Sequence, residues 1–480
     1  MNKSIIIVIL ATILSINASA QVNDSLELDS LQTAGENGSV FAQSKLGYSY
    51  MLGKGVHQDL EIALSWFKKA ADQGDSYSQV MIGMFYGTGI GVKQDYYEAF
   101  KWFMKAAEKG STSAQYWIGS YSLDGKGVQQ DYEEAFRWFM KAAERGSSSA
   151  QHSIGSLYND GKGVQQDYEE AIFWYKKSAS QNDPFACYSL GILYEYGDGV
   201  EQDYKKAFKW FEKAAKINFP FAPHFQSKLG KMYQSGFGVT LNNKEAFKWY
   251  MKAAEQGEAF AQSKLGSFSS LGIGVQQNYK EAFKWYKICA EQEDSHCQME
   301  LGRMYETGTG IIQDYGKALE LYKKAAGQED PWAQLFLGGM LEDGTGISQD
   351  YKEAFYWYMK AALQGIISAQ YNLGYFYSQG IGVLQDYSLA FQWYKKAADQ
   401  GDSFSQAKLG SMYYLGNGVL QDYIESYAWF SLASLDGNKD YIEQRNSLAA
   451  VLSPEGLEQG QRRAKDLFGQ IESKKESTQK

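Results

Sequence analysis

Proline is nearly absent from this 480-residue chain, with 5 residues, and histidine, with 4, and cysteine, with 3, are almost as scarce. So little proline excludes collagen-like triplets. Sparse cysteine excludes a small scaffold knotted by disulfides. His57, His152, His224 and His296 stand far apart, without the paired spacing of a metal motif, so no metal and no cofactor is expected. Positive charge is also in deficit: 47 Lys and Arg face 56 Asp and Glu, the formal net charge is −9, and no long basic run occurs, which excludes a nucleic-acid partner. Beyond residue 20 no apolar run approaches the ~20 residues that span a bilayer. The one apolar run, Ile5 to Ile16, follows Lys3 and precedes Ala18-Ser19-Ala20, the pattern of a signal peptide over 1–20 that leaves Gln21 first. The mature chain is therefore expected to be exported, periplasmic or secreted, with no membrane span.

Glycine and aromatics, by contrast, are abundant: 49 Gly and 15% Phe, Trp and Tyr. The aromatic content excludes a disordered low-complexity chain. Most glycines fall in register. Gly47, Gly83, Gly119, Gly155 and Gly191 recur every 36 residues, and Gly230, Gly266, Gly302, Gly338, Gly374 and Gly410 resume the period, making eleven copies. Six and eight residues after each come two more, from Gly53 and Gly55 to Gly416 and Gly418. In the first copy Ala42, Leu46 and Tyr50 form an i, i+4, i+8 stripe on a helix over about 39–52. Ala63, Leu64, Trp66, Phe67, Ala70 and Ala71 form a broader apolar face on a second helix over about 59–73. Gly53 and Gly55 suit a left-handed cap and tight turn between them, and Asp59 sits where an N-cap belongs. Asp95/Glu98, Asp131/Glu134, Asp167/Glu170 and Asp350/Glu353 have capping-box spacing. Gly47 lies inside a helix, where it costs ~1 kcal/mol relative to Ala, so a close approach is expected there, with the ring of Trp66 against the bare backbone.

The recurring Ala-Gln-x-x-Leu-Gly-x-x-Tyr-x-x-Gly-x-Gly-Val-x-Gln-Asp-Tyr-x-x-Ala-x-x-Trp-Tyr-x-Lys-Ala-Ala resembles the Sel1-like repeat, a longer relative of the tetratricopeptide repeat, over about residues 40–435. The resemblance implies an all-α, right-handed superhelical α/α solenoid whose first helices line a concave face. It also implies a non-enzymatic scaffold or adaptor, often in exported bacterial proteins with host or envelope partners. Residues 21–38 are expected to form an N-terminal capping helix, with Leu28, Leu31 and Ala34 as its stripe. Repeats 1–5 then fill 39–218 and repeats 6–11 fill 219–436. The three extra residues in Asn218-Phe219-Pro220-Phe221-Ala222-Pro223 are expected to bend the array between those lobes. Capping helices follow over 437–471, opened by Ser453-Pro454-Glu455 and carrying Leu457, Ala464, Leu467 and Ile471, then a disordered tail over 472–480.

Little of this points to catalysis. The run from Gly155 to Gly163 is one residue too long for a phosphate-binding loop, and Lys162 precedes Gly rather than Ser or Thr. Ser65-Trp66-Phe67-Lys68 matches Ser-x-x-Lys, which bears on the β-lactam binding associated with some cysteine-rich Sel1 proteins. The companion Lys-Thr-Gly and Ser-Asp-Asn elements are missing, and other repeats put Lys or Arg in the Ser65 slot. A β-lactam-binding or other hydrolase-like activity is therefore the alternative, not the expectation. Cys289 and Cys297 occupy small Ala slots that can face each other across a turn. Their spacing also resembles the intramotif disulfides of cysteine-rich Sel1 proteins, and a disulfide is favoured over two buried thiols, with Cys187 free. The first-helix positions three and two before the repeat glycine, and one after it, vary from copy to copy. They hold Tyr116, Trp117, Tyr188, Phe336, Tyr371 and Tyr375, the expected contacts for a protein or peptide partner, with a glycan as a further candidate.

Overall fold

The computed structural model describes residues 25–217 and 219–478; the expected signal segment 1–20 lies outside them. The described residues form twenty-five α-helices and one 3₁₀ turn, with no strand. Twenty-two of those helices make eleven antiparallel pairs in the 36-residue register, from Val40–Leu52 with Leu60–Asp72 to Ser403–Leu415 with Tyr423–Ala433.

Each pair is closed by the chemistry the sequence advertises. Gly53 caps the first helix at φ 70°, and its amide bonds the Ser49 carbonyl. The second turn glycine has two constraints. Gly127 is left-handed at φ 70°, and a Cβ there would sit 2.4 Å from the Tyr96 carbonyl of the preceding repeat, so it also lets neighbouring repeats touch. The Gln of Gln-Asp-Tyr ties the turn down, as where Gln94 Nε2 donates to the Gly87 carbonyl at 2.8 Å. Asp95 Oδ1 then accepts from Glu98 N at 3.0 Å. The capping box stays half-formed, because the Asp95 amide already bonds the Tyr86 carbonyl and the Glu98 carboxylate turns to Lys101 at 2.6 Å.

The helical glycine does mark a close approach, but the ring is that of the following residue. A Cβ on Gly47 would lie 2.7 Å from Phe67 Cδ1, and the same holds for Gly83 with Phe103, Gly119 with Phe139 and Gly338 with Tyr358. Consecutive helical residues point about 100° apart. Phe67 therefore faces its own first helix, while Trp66 turns toward the preceding helix, Ser25–Glu36, and packs beside Gly35. Eight of the second-helix Trp rings take a lysine one turn on, as with Lys69 Nζ 3.9 Å from the Trp66 ring centre.

Repeats are stitched by buried glutamines. The Gln of Ala-Gln donates to the last Ala of the preceding second helix, as Gln151 Nε2 does to the Ala143 carbonyl at 3.1 Å. It accepts from a Gln at the end of its own second helix, as Gln151 Oε1 does from Gln181 Nε2 at 2.8 Å. Repeats 2 and 3 carry Lys109 and Arg145 at that end position instead, and there Gln79 Oε1 and Gln115 Oε1 are buried with no hydrogen-bond partner.

The chain forms two compact bodies, Met1–Gln256 and Gly257–Lys480. The division falls after the sixth helix pair. Pro223 lies in the first turn of helix Ala222–Ser235, where its missing N–H costs nothing. One apolar cluster runs across the inserted segment, joining Phe211, Ala214 and Ala215 to Phe225, Leu229 and Met232. The N-terminal capping helix is Ser25–Glu36, with Leu31 buried against Leu46 and Trp66. At the other end Lys439–Val451 and Pro454–Thr478 close the second body, and Leu467 and Ile471 are buried there. The final helix continues through Thr478, with Lys474 Nζ paired to Asp399 at 3.3 Å and Lys475 Nζ to Glu472 at 2.8 Å.

Candidate functional site

Five of the six aromatics expected on the binding face are half-buried, and they share a reason. Each rests on a ring that covers a register glycine. Trp117 stacks on Phe103 with centroids 5.9 Å apart and planes 12° apart. Tyr116 leans on Phe139 at 5.6 Å, Tyr188 on Phe211 at 5.2 Å, Phe336 on Tyr322 at 5.4 Å and Tyr371 on Tyr394 at 5.6 Å. Tyr375 is exposed. The six form no single cluster: Tyr116, Trp117 and Tyr188 belong to the first body, and Phe336, Tyr371 and Tyr375 to the second.

A second row of aromatics, six residues before the repeat glycine, was legible in the register but not singled out from it. Phe41, Phe185, Phe260, Trp332 and Phe404 are each the second residue of a first helix, and they are 72, 36, 44, 47 and 59% exposed. His224 and His296 stand at the same register position. The rows meet between neighbouring repeats: Tyr188 lies 5.7 Å from His224, His152 6.1 Å from Phe185, and Tyr371 6.3 Å from Phe404. In each case the half-buried ring of one repeat supports the more exposed ring of the next. Exposed aromatics held in place by rings beneath them suit a binding surface, because little side-chain freedom is left to lose.

Tyrosine hydroxyls add buried polar anchors on this side of the second body. Tyr322 donates to Glu306 Oε2 and Tyr358 to Glu342 Oε2, both at 2.6 Å, and burial raises the Glu342 carboxyl above the usual range. In the first body, where Phe211 has no hydroxyl, Glu195 pairs instead with the largely buried Lys228 at 2.6 Å.

The chemical candidates are placed as plainly. Ser65 is exposed and donates to the Ile62 carbonyl at 2.7 Å, while Lys68 points its ammonium toward the Tyr86 ring, so serine and lysine do not form a nucleophile–base pair. Cys289 and Cys297 form a disulfide with Cα atoms 5.8 Å apart, joining the second helix of repeat 7 to the first of repeat 8. Asp294 is within 4.8 Å of both sulfurs, but one oxygen caps the Cys297 amide at 2.8 Å and the sulfurs are bonded to each other. Cys187 is free and buried, and burial pushes its thiol up to about 11. No helix among the described residues is long and apolar enough to cross a membrane.

Against known proteins, the Sel1 repeat family matches eleven times, at residues 40–75, 76–111, 112–147, 148–183, 184–219, 223–258, 259–294, 295–330, 333–366, 367–402 and 403–438. Among solved structures, a protective antigen present in uropathogenic Escherichia coli strains, with an SLR fold, is 37% identical. That match covers 94% of this chain and 95% of the antigen, with a TM-score of 0.76. A Sel1 repeat protein from Oxalobacter formigenes is 38% identical over 52% of this chain and 99% of its own, with a TM-score of 0.45. A search of curated proteins finds no match. With its helix pairs in the same register as the family matches, the chain belongs to the Sel1 repeat family.

Proposed function

We propose that this chain is a non-enzymatic scaffold, exported from a bacterial cell, that captures a protein or peptide partner on the first-helix faces of its two bodies. The observation that carries the reading is the row of exposed aromatics at one register position, Phe41, Phe185, Phe260, Trp332 and Phe404. Core packing does not require them, since repeats 3, 4 and 10 hold Ser113, Ser149 and Ser368 there. Tyr371 lies against Phe404 and Phe336 against Trp332, and on this reading Tyr116, Trp117, Tyr188 and Tyr375 add further contacts on the same first-helix faces. Aromatic anchors carry a large share of binding energy at interfaces.

The disulfide fits an oxidising compartment, where such bonds persist, and export agrees with the signal-like segment. Similarity to an E. coli protective antigen is in keeping with an envelope or host-facing location. The test is hydrogen exchange on the full chain with and without a partner captured by affinity pull-down. Protection gathered at the N-terminal turns of first helices supports the reading, and protection gathered on second helices refutes it.

A further inference from the structure

Repeats 5 and 6 depart from the register at one shared edge. In the other ten repeats a Gln fills the slot of Leu241, and its Nε2 donates to the carbonyl seven residues back at 2.7–2.8 Å. Leu241 gives up that tie and is 57% exposed. In the same turn Phe237, 51% exposed, lies on the Tyr204 ring with centroids 5.1 Å apart and planes 17° apart. Gly238 seats this turn against the start of helix Tyr204–Lys216, since a Cβ there would lie 3.0 Å from the Lys205 amide nitrogen. That helix holds five Lys and one Glu, in a chain of net charge −9. Its first turn carries Lys205 and Lys206, although the helix dipole favours acids there, and seven other repeats put Glu in the Lys206 slot. Asp203 offsets Lys206 at 3.2 Å. Lys205, Lys209 and, in the second helix of repeat 6, Lys244 are exposed, and no carboxylate among the described residues pairs with their ammonium groups. A forfeited hydrogen bond and lysines set against the dipole both cost local stability. Such costs, side by side and uncompensated by packing, mark a functional surface.

We propose that this edge of the first body docks on an anionic phospholipid bilayer, with Phe237 and Leu241 entering the interfacial layer and Lys205, Lys206, Lys209 and Lys244 facing the lipid phosphates. The proposal goes beyond the partner reading and uses different residues, on a turn and on second helices rather than in the first turns of first helices. Exposed apolar side chains flanked by lysines are the composition of an interfacial anchor, in which burial and attraction to anionic lipid add. A protein partner fits this edge less well, because protein interfaces are enriched in Arg and depleted in Lys, and no Arg occurs between Arg145 and Arg303. A bilayer asks for positive charge and exposed apolar groups, and not for a matched shape, which suits an exposed turn.

The repeats themselves supply the variants. Lys205→Glu with Lys206→Glu copies Glu169 and Glu170 of repeat 4, and Phe237→Thr with Leu241→Gln copies Thr309 and Gln313 of repeat 8. Each pair restores residues that the fold already uses, so melting by circular dichroism should be unchanged or raised. The mature chain from Gln21, free of the apolar run Ile5 to Ile16, is co-sedimented at low salt with phosphatidylcholine vesicles and with vesicles in which about a third of the lipid is phosphatidylglycerol. The expected result is binding to the phosphatidylglycerol vesicles alone, weakening as salt rises. One lysine near an anionic surface is worth about fivefold in partitioning, so reversing two charges should weaken binding at least about tenfold. Loss of the two apolar side chains should weaken it about tenfold as well. The proposal is overturned if the wild type does not bind these vesicles, if it binds phosphatidylcholine equally well, or if either folded variant keeps full binding. It is equally overturned if the variants lose a captured acidic protein while vesicle binding stays intact, which would assign the edge to a protein partner.

Discussion

Gly338 and Gly339 are neighbours in one helix, Pro331–Asp343, and changing each to Ala separates packing from helix propensity. Both substitutions gain ~1 kcal/mol of propensity. At Gly339 the new methyl meets only the Tyr358 hydroxyl, at 3.7 Å, which is ordinary contact. At Gly338 it lies 2.7 Å from Tyr358 Cδ1 and Cε1, so the ring must retreat by about 3.4 − 2.7 = 0.7 Å to reach normal contact. Tyr358 is 2% exposed and its hydroxyl is anchored on Glu342 at 2.6 Å, so it has nowhere easy to go. Overpacking of this kind costs about 1–3 kcal/mol. Because propensity cancels in the comparison, Gly338→Ala should be less stable than Gly339→Ala by about 1–3 kcal/mol. Repeat arrays unfold in parts, so the assay is native-state hydrogen exchange of repeat 9 amides alongside urea unfolding. Equal stability of the two variants, or a more stable Gly338→Ala, would refute the close-approach account of the register glycine.

Arg145→Gln should supply the missing partner to Gln115 Oε1, as Gln181 does for Gln151, and raise stability in urea by about 1 kcal/mol; a loss of stability would contradict the glutamine ladder. Cys289→Ala with Cys297→Ala restores the residue pair that repeats 6 and 7 hold at those slots, Ala253 and Ala261, so it removes the cross-link and leaves packing intact. It should cost about 2–3 kcal/mol under oxidising conditions and nothing once both proteins are reduced. On denatured, unreduced wild type, thiol titration should find one reactive cysteine, and three would refute the bridge. Burial lowers the His152 pKa below its usual value, so its neutral form is favoured in the fold. Stability is then present above about pH 6.5 and falls as the pH drops below it, because the unfolded chain takes up the proton more readily. His152→Gln should flatten that acid limb of the melting curve, and an unchanged limb would place the proton elsewhere.

Most of the fold was legible because one chemistry repeats eleven times. Left-handed glycines, Asp caps and apolar stripes each act within about ten residues, and they placed helices such as Val40–Leu52 and Leu60–Asp72 to within a residue. What reading along one copy could not settle was direction across copies. Trp66 and Phe67 are adjacent and both apolar, and only the 100° turn between them sends one to its own repeat and the other to its neighbour. Glu293 shows the same limit in the turn beside the disulfide. It takes φ 65° where Gly257 and Gly365 serve in other repeats, a backbone choice invisible in the side chain's chemistry. The burial of the first-helix flank has a related cause. In a stack the flank of a first helix, opposite its apolar stripe, meets the next repeat, so Tyr116 and Tyr188 are half-buried. In the first turn, by contrast, Phe41 and Phe404 stay exposed.

Whether that first-turn row captures the partner is tested most directly by replacing Phe41, Phe185, Phe260, Trp332 and Phe404 together with Ser, the residue repeats 3, 4 and 10 already carry there. Calorimetric titration against the captured partner, with a melting curve on the same sample, reads binding and folding separately. Affinity lower by at least about tenfold with an unchanged melting temperature is the predicted result; full affinity in the folded variant would contradict it.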